Sequence, residues 1–185
     1  MYIIDYIKAS LLFIIVVSAL CIPISFYLRY KGKHQIRVFA CLLFFFAVSL
    51  IVFATILITP EFEFNTEERF LNLIPFQRFT EKNINVPWAI VAEIIPNTLL
   101  FIPLGLMIPI VFKKMRKSSR TIPCIFMVTF AIEFFQYFIG RRADIDDIIT
   151  NLFGGLIGYA LFQYLNTHFK NKIHWNLLLE KNTDS

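Results

Sequence analysis

Five stretches of this chain run for about twenty residues with few charges or none. Residues 9–28 contain no Asp, Glu, Lys or Arg, and neither do residues 38–60. Three further apolar stretches, 88–112, 121–139 and 148–166, carry only isolated polar side chains. About 20 helical residues cross about 30 Å of hydrocarbon. The pattern therefore predicts five transmembrane helices, roughly 9–28, 38–59, 88–112, 121–139 and 148–166. Barrel strands would instead alternate apolar and polar residues over about ten positions. The first run exceeds the apolar core of about 7–15 residues in a signal peptide, and no small-x-small cleavage site follows it. It reads as a helix of the mature protein.

Composition agrees with this pattern. Of the 185 residues, 57% are hydrophobic and 17% charged, and mean hydropathy is +0.65. Soluble domains are about 45–50% apolar and about 25% charged. A soluble enzyme, a disordered chain, a collagen and a disulfide-stapled secreted module are excluded. The expected fold class is an all-α integral membrane protein with its helices in one bundle.

Charge gives the orientation. Loop 29–37 carries Arg29, Lys31, Lys33 and Arg37, and loop 113–120 carries Lys113, Lys114, Arg116, Lys117 and Arg120, both without acids. With these loops and tail 167–185 on the cytoplasmic side, that side holds twelve Lys/Arg and the other six. The positive-inside rule then places the N-terminus outside. It accounts for both basic clusters without nucleic acid. Segment 60–87 and loop 140–147 would face the exterior. Segment 60–87 is acidic overall, with Glu61, Glu63, Glu67, Glu68 and Glu81, and contains an apolar island at 70–76. It is expected to lie at the membrane interface or dip between helices.

Ionisable residues within a span are costly and usually face the bundle interior. Glu93 and Glu133 are the candidates. Gln136 follows Glu133 by three positions, so both share one helix face. Gly140 suits a helix C-terminal cap. Just beyond it, Asp144, Asp147 and Asn151 are spaced three and four apart, which puts them on one face of a following helix. Asp144 or Asp146 is suited to cap that helix. A short connection makes helices four and five antiparallel neighbours. Glu133, Gln136, Arg141, Asp144, Asp147 and Asn151 are thus expected in one polar cluster, with Asn97 of span three packed against it. Arg141 is expected to stand between the carboxylates. Either a structural network or a pocket for a substrate or ion fits that cluster. Gly154-x-x-x-Gly158 permits a close helix approach, within the bundle or in a homo-oligomer.

Cys21, Cys41 and Cys124 lie in apolar spans and form no metal-ligand spacing. The histidines His34, His168 and His174 form no H-E-x-x-H. No metal or cofactor is expected.

Three ordered blocks resemble the VanZ-like family, named for a teicoplanin-resistance accessory protein of Gram-positive bacteria. The first is Leu71-Asn72-Leu73-Ile74-Pro75-Phe76, similar to the family's N-L-x-P-F. The second spans 97–105 and carries Asn97, Phe101, Pro103 and Gly105. The third runs from Glu133 through Gln136, Arg141, Asp144, Asp147 and Asn151 to Gly154, Gly155 and Gly158. Arg142 and Asp146 fall at positions the pattern leaves free. The resemblance divides the chain into two N-terminal helices (1–60), a VanZ-like membrane domain (61–166) and a cytoplasmic tail (167–185). It implies a multi-pass cell-membrane protein linked to resistance to glycopeptides, mainly lipid-tailed ones.

Three functional readings follow. The first is a non-enzymatic membrane protein that alters access of, or response to, lipophilic glycopeptides or supports envelope homeostasis. The second is an enzyme acting on a lipid-linked envelope precursor, with Glu133 as general base and Arg141 holding an anion. In that reading Asp144 and Asp147 would be candidate oxygen ligands for Mg²⁺ or Ca²⁺. The third is a small transporter using Glu93 and Glu133. The residues offer no Ser/His or Cys/His pair near the cluster and no internal repeat; the first reading leads through the resemblance more than through the chemistry.

Overall fold

A computed structural model describes residues 3–57, 71–80 and 85–180 of the chain. Much of the acidic segment, including Glu61, Glu63, Glu67, Glu68 and Glu81, lies outside the described residues. In chain order the elements are α1 (Ile3–Tyr30), α2 (Gln35–Val52) with a π-helical turn (Phe53–Leu57), and strand β1 (Leu71–Asn72). A 3₁₀ turn (Gln77–Thr80) follows, then α3 (Val86–Ala89), a second π turn (Ile90–Ile94) and α4 (Ile95–Val111). After a short turn come α5 (Ser118–Phe138), β2 (Ala143–Asp144), α6 (Ile145–Phe169) and α7 (Ile173–Leu179).

Five helices among the described residues are long and apolar enough to cross a membrane: 8–30, 35–56, 86–111, 118–138 and 145–169. They occupy the five predicted runs. Their outward faces are aromatic and aliphatic. Leu11, Ile15, Phe26, Phe39, Leu99, Met127, Phe134 and Phe153 are all exposed. So large an apolar belt suits a lipid bilayer rather than water.

The centre of the bundle is the pair α4 and α6, and glycine sets their separation. A Cβ on Gly154 would strike the Thr98 carbonyl, one on Gly158 the Ile102 carbonyl, and one on Gly105 the backbone of Gly155. The Gly-x-x-x-Gly stripe is thus filled by a helix of the same chain, which lets two backbones touch. Around this pair, α2 packs on α4, and α5 packs on α6. Phe101, Ile125, Phe162 and Leu179 are fully enclosed. By contrast, α1 is attached lightly. Val17 is its buried hydrophobic residue, and Phe13 stacks on Phe53 at 4.4 Å between ring centroids.

The π turn before α4 has a local cause. Pro96 has no N–H to give the carbonyl four residues earlier, and the helix widens over Ile90–Ile94 just before it. At the end of α2 the widened turn presents the Thr55 carbonyl to α5.

At the end of the bundle away from β1 and β2, helix C-termini converge on arginines. A helix leaves its last four carbonyls without internal donors. The Arg37 guanidinium, buried, donates to the carbonyls of Ile110, Val111 and Leu178. Arg116 donates to the Leu179 carbonyl. Glu180 bridges Lys33 at 2.6 Å and Arg37 at 3.6 Å. Residues of both basic loops therefore act as helix caps, and the segment after α6 folds back to bury Leu179 against Ala40, Met107 and Phe162. Periodicity alone offers no element in that segment.

Candidate functional site

The other end of the bundle gathers the polar residues. Its frame is the exit of α5. Gly140 takes φ +78°, and the Arg141 N–H donates back to the Gln136 carbonyl at 2.9 Å. This is a glycine-terminated helix cap that turns the chain sharply. The chain then runs as β2 into the N-terminus of α6. Asp144 caps that helix by accepting from the Asp146 N–H at 3.1 Å.

The apolar island at 70–76 is not a free interfacial segment where it is described. Leu71 and Asn72 pair in parallel with Ala143 and Asp144. Asn72 is buried and donates to Asp144 Oδ1 at 2.9 Å, while its own Oδ1 accepts from the Ile74 N–H at 3.1 Å. The Phe76 N–H donates to Asp146 Oδ1 at 2.7 Å, with Phe76 in a left-handed conformation at φ 58°. Pro75 precedes it on the exposed turn.

The seven expected cluster residues all lie at or below this end, in four bonded groups rather than one connected cluster. Glu133, 5% exposed, accepts from the Asp144 N–H through Oε2 at 3.0 Å. Gln136 donates to the Thr55 carbonyl at 2.9 Å, and Arg141 donates to the same carbonyl. Asn97 donates to Asp147 Oδ1 at 2.7 Å. Asn151 lies deeper, 2% exposed, and donates to Thr129 Oγ1 at 3.2 Å rather than meeting Asp147. The cation on Asp144 is Arg142, at 3.2 Å, not Arg141. Arg141 is drawn instead to the peptide oxygen that the π turn presents. Sequence reasoning missed Thr55, because a backbone acceptor leaves no side-chain signal. It also missed Thr129, although its place one turn before Glu133 puts it on the same helix face.

Two cavities flank the β1–β2 ribbon and share Asp144. One, of about 350 Å³, is polar; its walls include Glu93, Asn97, Arg141, Arg142, Asp146, Asp147 and Thr150. The other, of about 330 Å³, is almost wholly apolar. Phe130, Phe134, Tyr137, Phe138, Leu71 and Leu73 line it, with Asn72, Glu133 and Asp144 at its inner wall. Gln136 Oε1 and Asn151 Oδ1 are buried acceptors without a donor among the described residues. No group of three or more His, Cys, Asp or Glu side chains among the described residues is placed to hold a metal ion. Asp144 and Asp147 already carry bonds from Asn72, Arg142 and Asn97. The arrangement can bind: it offers donors and carboxylates on one side of a two-stranded wall and an oily recess on the other.

Comparison with known proteins bears on what this end is for. The VanZ/LLP1 family model matches residues 39–166. Protein VanZ of Enterococcus faecium is 34% identical over 110 residues, which cover 59% of this chain and 62% of that protein. The chain thus spans about three fifths of that relative's length. No solved structure matches. The matched region contains the second and third blocks entire and the first block with them, in the order that builds the polar end, and on that match the chain belongs to the VanZ-like family.

Proposed function

We propose that this chain acts in the cell membrane as a VanZ-like multi-pass protein that contributes to resistance to lipophilic glycopeptides of the teicoplanin kind, or to envelope homeostasis. In this reading the N-terminus and the polar end face outward, and both basic loops face the cytoplasm. One observation carries it. The polar cavity and the apolar recess meet at Asp144, and side chains of all three family blocks form their walls. A ligand with a polar body and a lipid tail would fit such a pair of compartments. Binding would depend on Asn97, Arg141 and Asp147 for the polar part and on the Phe130–Phe134–Tyr137 face for the tail.

The enzymatic reading draws on Glu133, which stands at the inner wall of the apolar recess where a carboxylate could take a proton. No Ser/His or Cys/His pair stands beside that carboxylate among the described residues. Expression of the chain in a susceptible Gram-positive host tests the main reading. Teicoplanin susceptibility should fall several-fold while vancomycin susceptibility changes little. Unchanged susceptibility to both at a verified protein level would overturn the resistance role.

A further inference from the structure

A third cavity lies at the opposite end of the bundle, apart from the polar site. It is a cleft of about 530 Å³ between the last turns of α1 and the first two turns of α2. Its lining is mostly apolar, with Phe26, Phe39 and Leu42 beside the buried Val38, and it includes the polar Arg29, Gln35 and Ser25. Among the described residues the Arg29 guanidinium enters no ion pair or hydrogen bond. Its basic neighbours are otherwise engaged: Lys31 lies over the Tyr27 ring and Lys33 bonds Glu180.

We infer that this cleft holds one anionic phospholipid of the surrounding leaflet, its phosphate on Arg29 and one acyl chain along Phe26, Phe39 and Leu42. Three observations support the assignment. The cleft sits where two spans end, so its polar residues are level with lipid headgroups and its apolar lining with the chains. The loop beside it, residues 29–37, carries four cations and no acid, against the one carboxylate of Glu180 that pairs with Lys33 and Arg37, so the local field favours an anion. And α1 buries little against the protein, so a chain in the cleft would supply packing that the helix otherwise lacks. The lipid would work as a mortar between α1 and the rest of the bundle.

The test is native mass spectrometry of the full-length protein in neutral detergent, with palmitoyl-oleoyl phosphatidylglycerol or phosphatidylcholine added. The wild-type chain should retain one phosphatidylglycerol in preference to phosphatidylcholine. A cation at the membrane surface is worth about 1 kcal/mol, so Arg29→Gln should lower that preference about fivefold. Lys114→Gln, in the other basic loop and outside the cleft, should leave it unchanged. Equal retention of both lipids by the wild type would overturn the site, as would equal loss in Lys114→Gln, which would mean diffuse attraction to a basic surface. Displacement of the lipid by inorganic phosphate would show that the chain plays no part. Should Arg29→Gln fail to fold, Leu42→Trp fills the apolar end of the cleft and should expel the lipid. Retention in that variant would overturn the proposal equally.

Discussion

The Asn97 side chain donates to the Asp147 carboxylate at 2.7 Å, joining α4 to the first turn of α6 one residue along α4 and about two turns along α6 from the Gly154–Thr98 backbone contact. A polar pair is thus set next to the tightest helix crossing in the bundle. The glycine stripe fixes the distance between the helices, and the hydrogen bond fixes their register. Polar contacts between membrane helices average about 0.6 kcal/mol and reach about 1.7 kcal/mol. A double-mutant cycle of Asn97→Ala and Asp147→Ala, read by unfolding in mixed micelles, should give a coupling energy within that range. Additive losses would show that the pair contributes nothing to holding α4 on α6.

At the other end, Glu180 makes a prediction about pH. Burial pushes its carboxyl upward, but the hydrogen bond from Lys33 and the charges of Arg37, Lys33 and Lys113 outweigh that and hold it below the usual carboxylate range. A folded-state pKa below the unfolded value, about 4.3, means that the ionised group stabilises the fold above that value. The contribution is lost as pH falls through the folded pKa. Glu180 is 25% exposed, so solvent screens its pairs and about 1 kcal/mol is the scale expected. Thermal unfolding of wild type and Glu180→Gln should therefore differ by a constant amount from neutral pH down to about 5, and converge below it. A difference that widens with acidity would contradict the ion-pair account of how α7 is latched.

The positions of the five spans were legible because hydrocarbon imposes a single strong demand on twenty consecutive residues. The polar end was legible in part. Helical spacing brought Glu133 beside Gln136, and it placed Asp144 at the start of a helix that it does cap. Spacing could not reach across seventy residues to pair Asn72 with Asp144, since a two-residue strand has no period to read. Nor could it tell Arg141 from Arg142. That choice is made by the Thr55 carbonyl, which lies in the π turn that follows α2. The contacts of the basic loops were not legible for a different reason. The rule that assigns cations to one side of the membrane says nothing of what they touch, and Arg37 turns inward to cap α4 and α7.

Orientation is open to direct labelling. With Cys21, Cys41 and Cys124 replaced by Ala, single cysteines at Lys114 and Arg142 stand at opposite ends of the bundle, both on exposed positions. If the polar end faces outward, a membrane-impermeant maleimide should label the position-142 variant in intact cells and the position-114 variant only after permeabilisation. The reverse pattern would put the polar end in the cytoplasm and remove the surface on which an extracellular ligand could act.

Glu133 decides whether the polar end is a working site or a structural joint. Its Oε2 accepts the backbone N–H of Asp144, the residue that also caps α6, receives Asn72 and pairs with Arg142. Glu133→Gln keeps an oxygen that can accept that N–H and removes the carboxylate. If the bond is what matters, the variant should insert, accumulate to the wild-type level and retain its effect on teicoplanin susceptibility. If the carboxylate acts on a ligand, the level should hold while the effect is lost. Glu133→Leu provides the contrast, because it leaves the Asp144 N–H without its partner, at about 1–3 kcal/mol for a buried unsatisfied donor. It should lower protein level and effect together. Susceptibility measured at matched protein level for both variants separates the outcomes. A fully retained effect in Glu133→Gln and in Asp147→Asn alike would leave the carboxylates of this end with a structural role only.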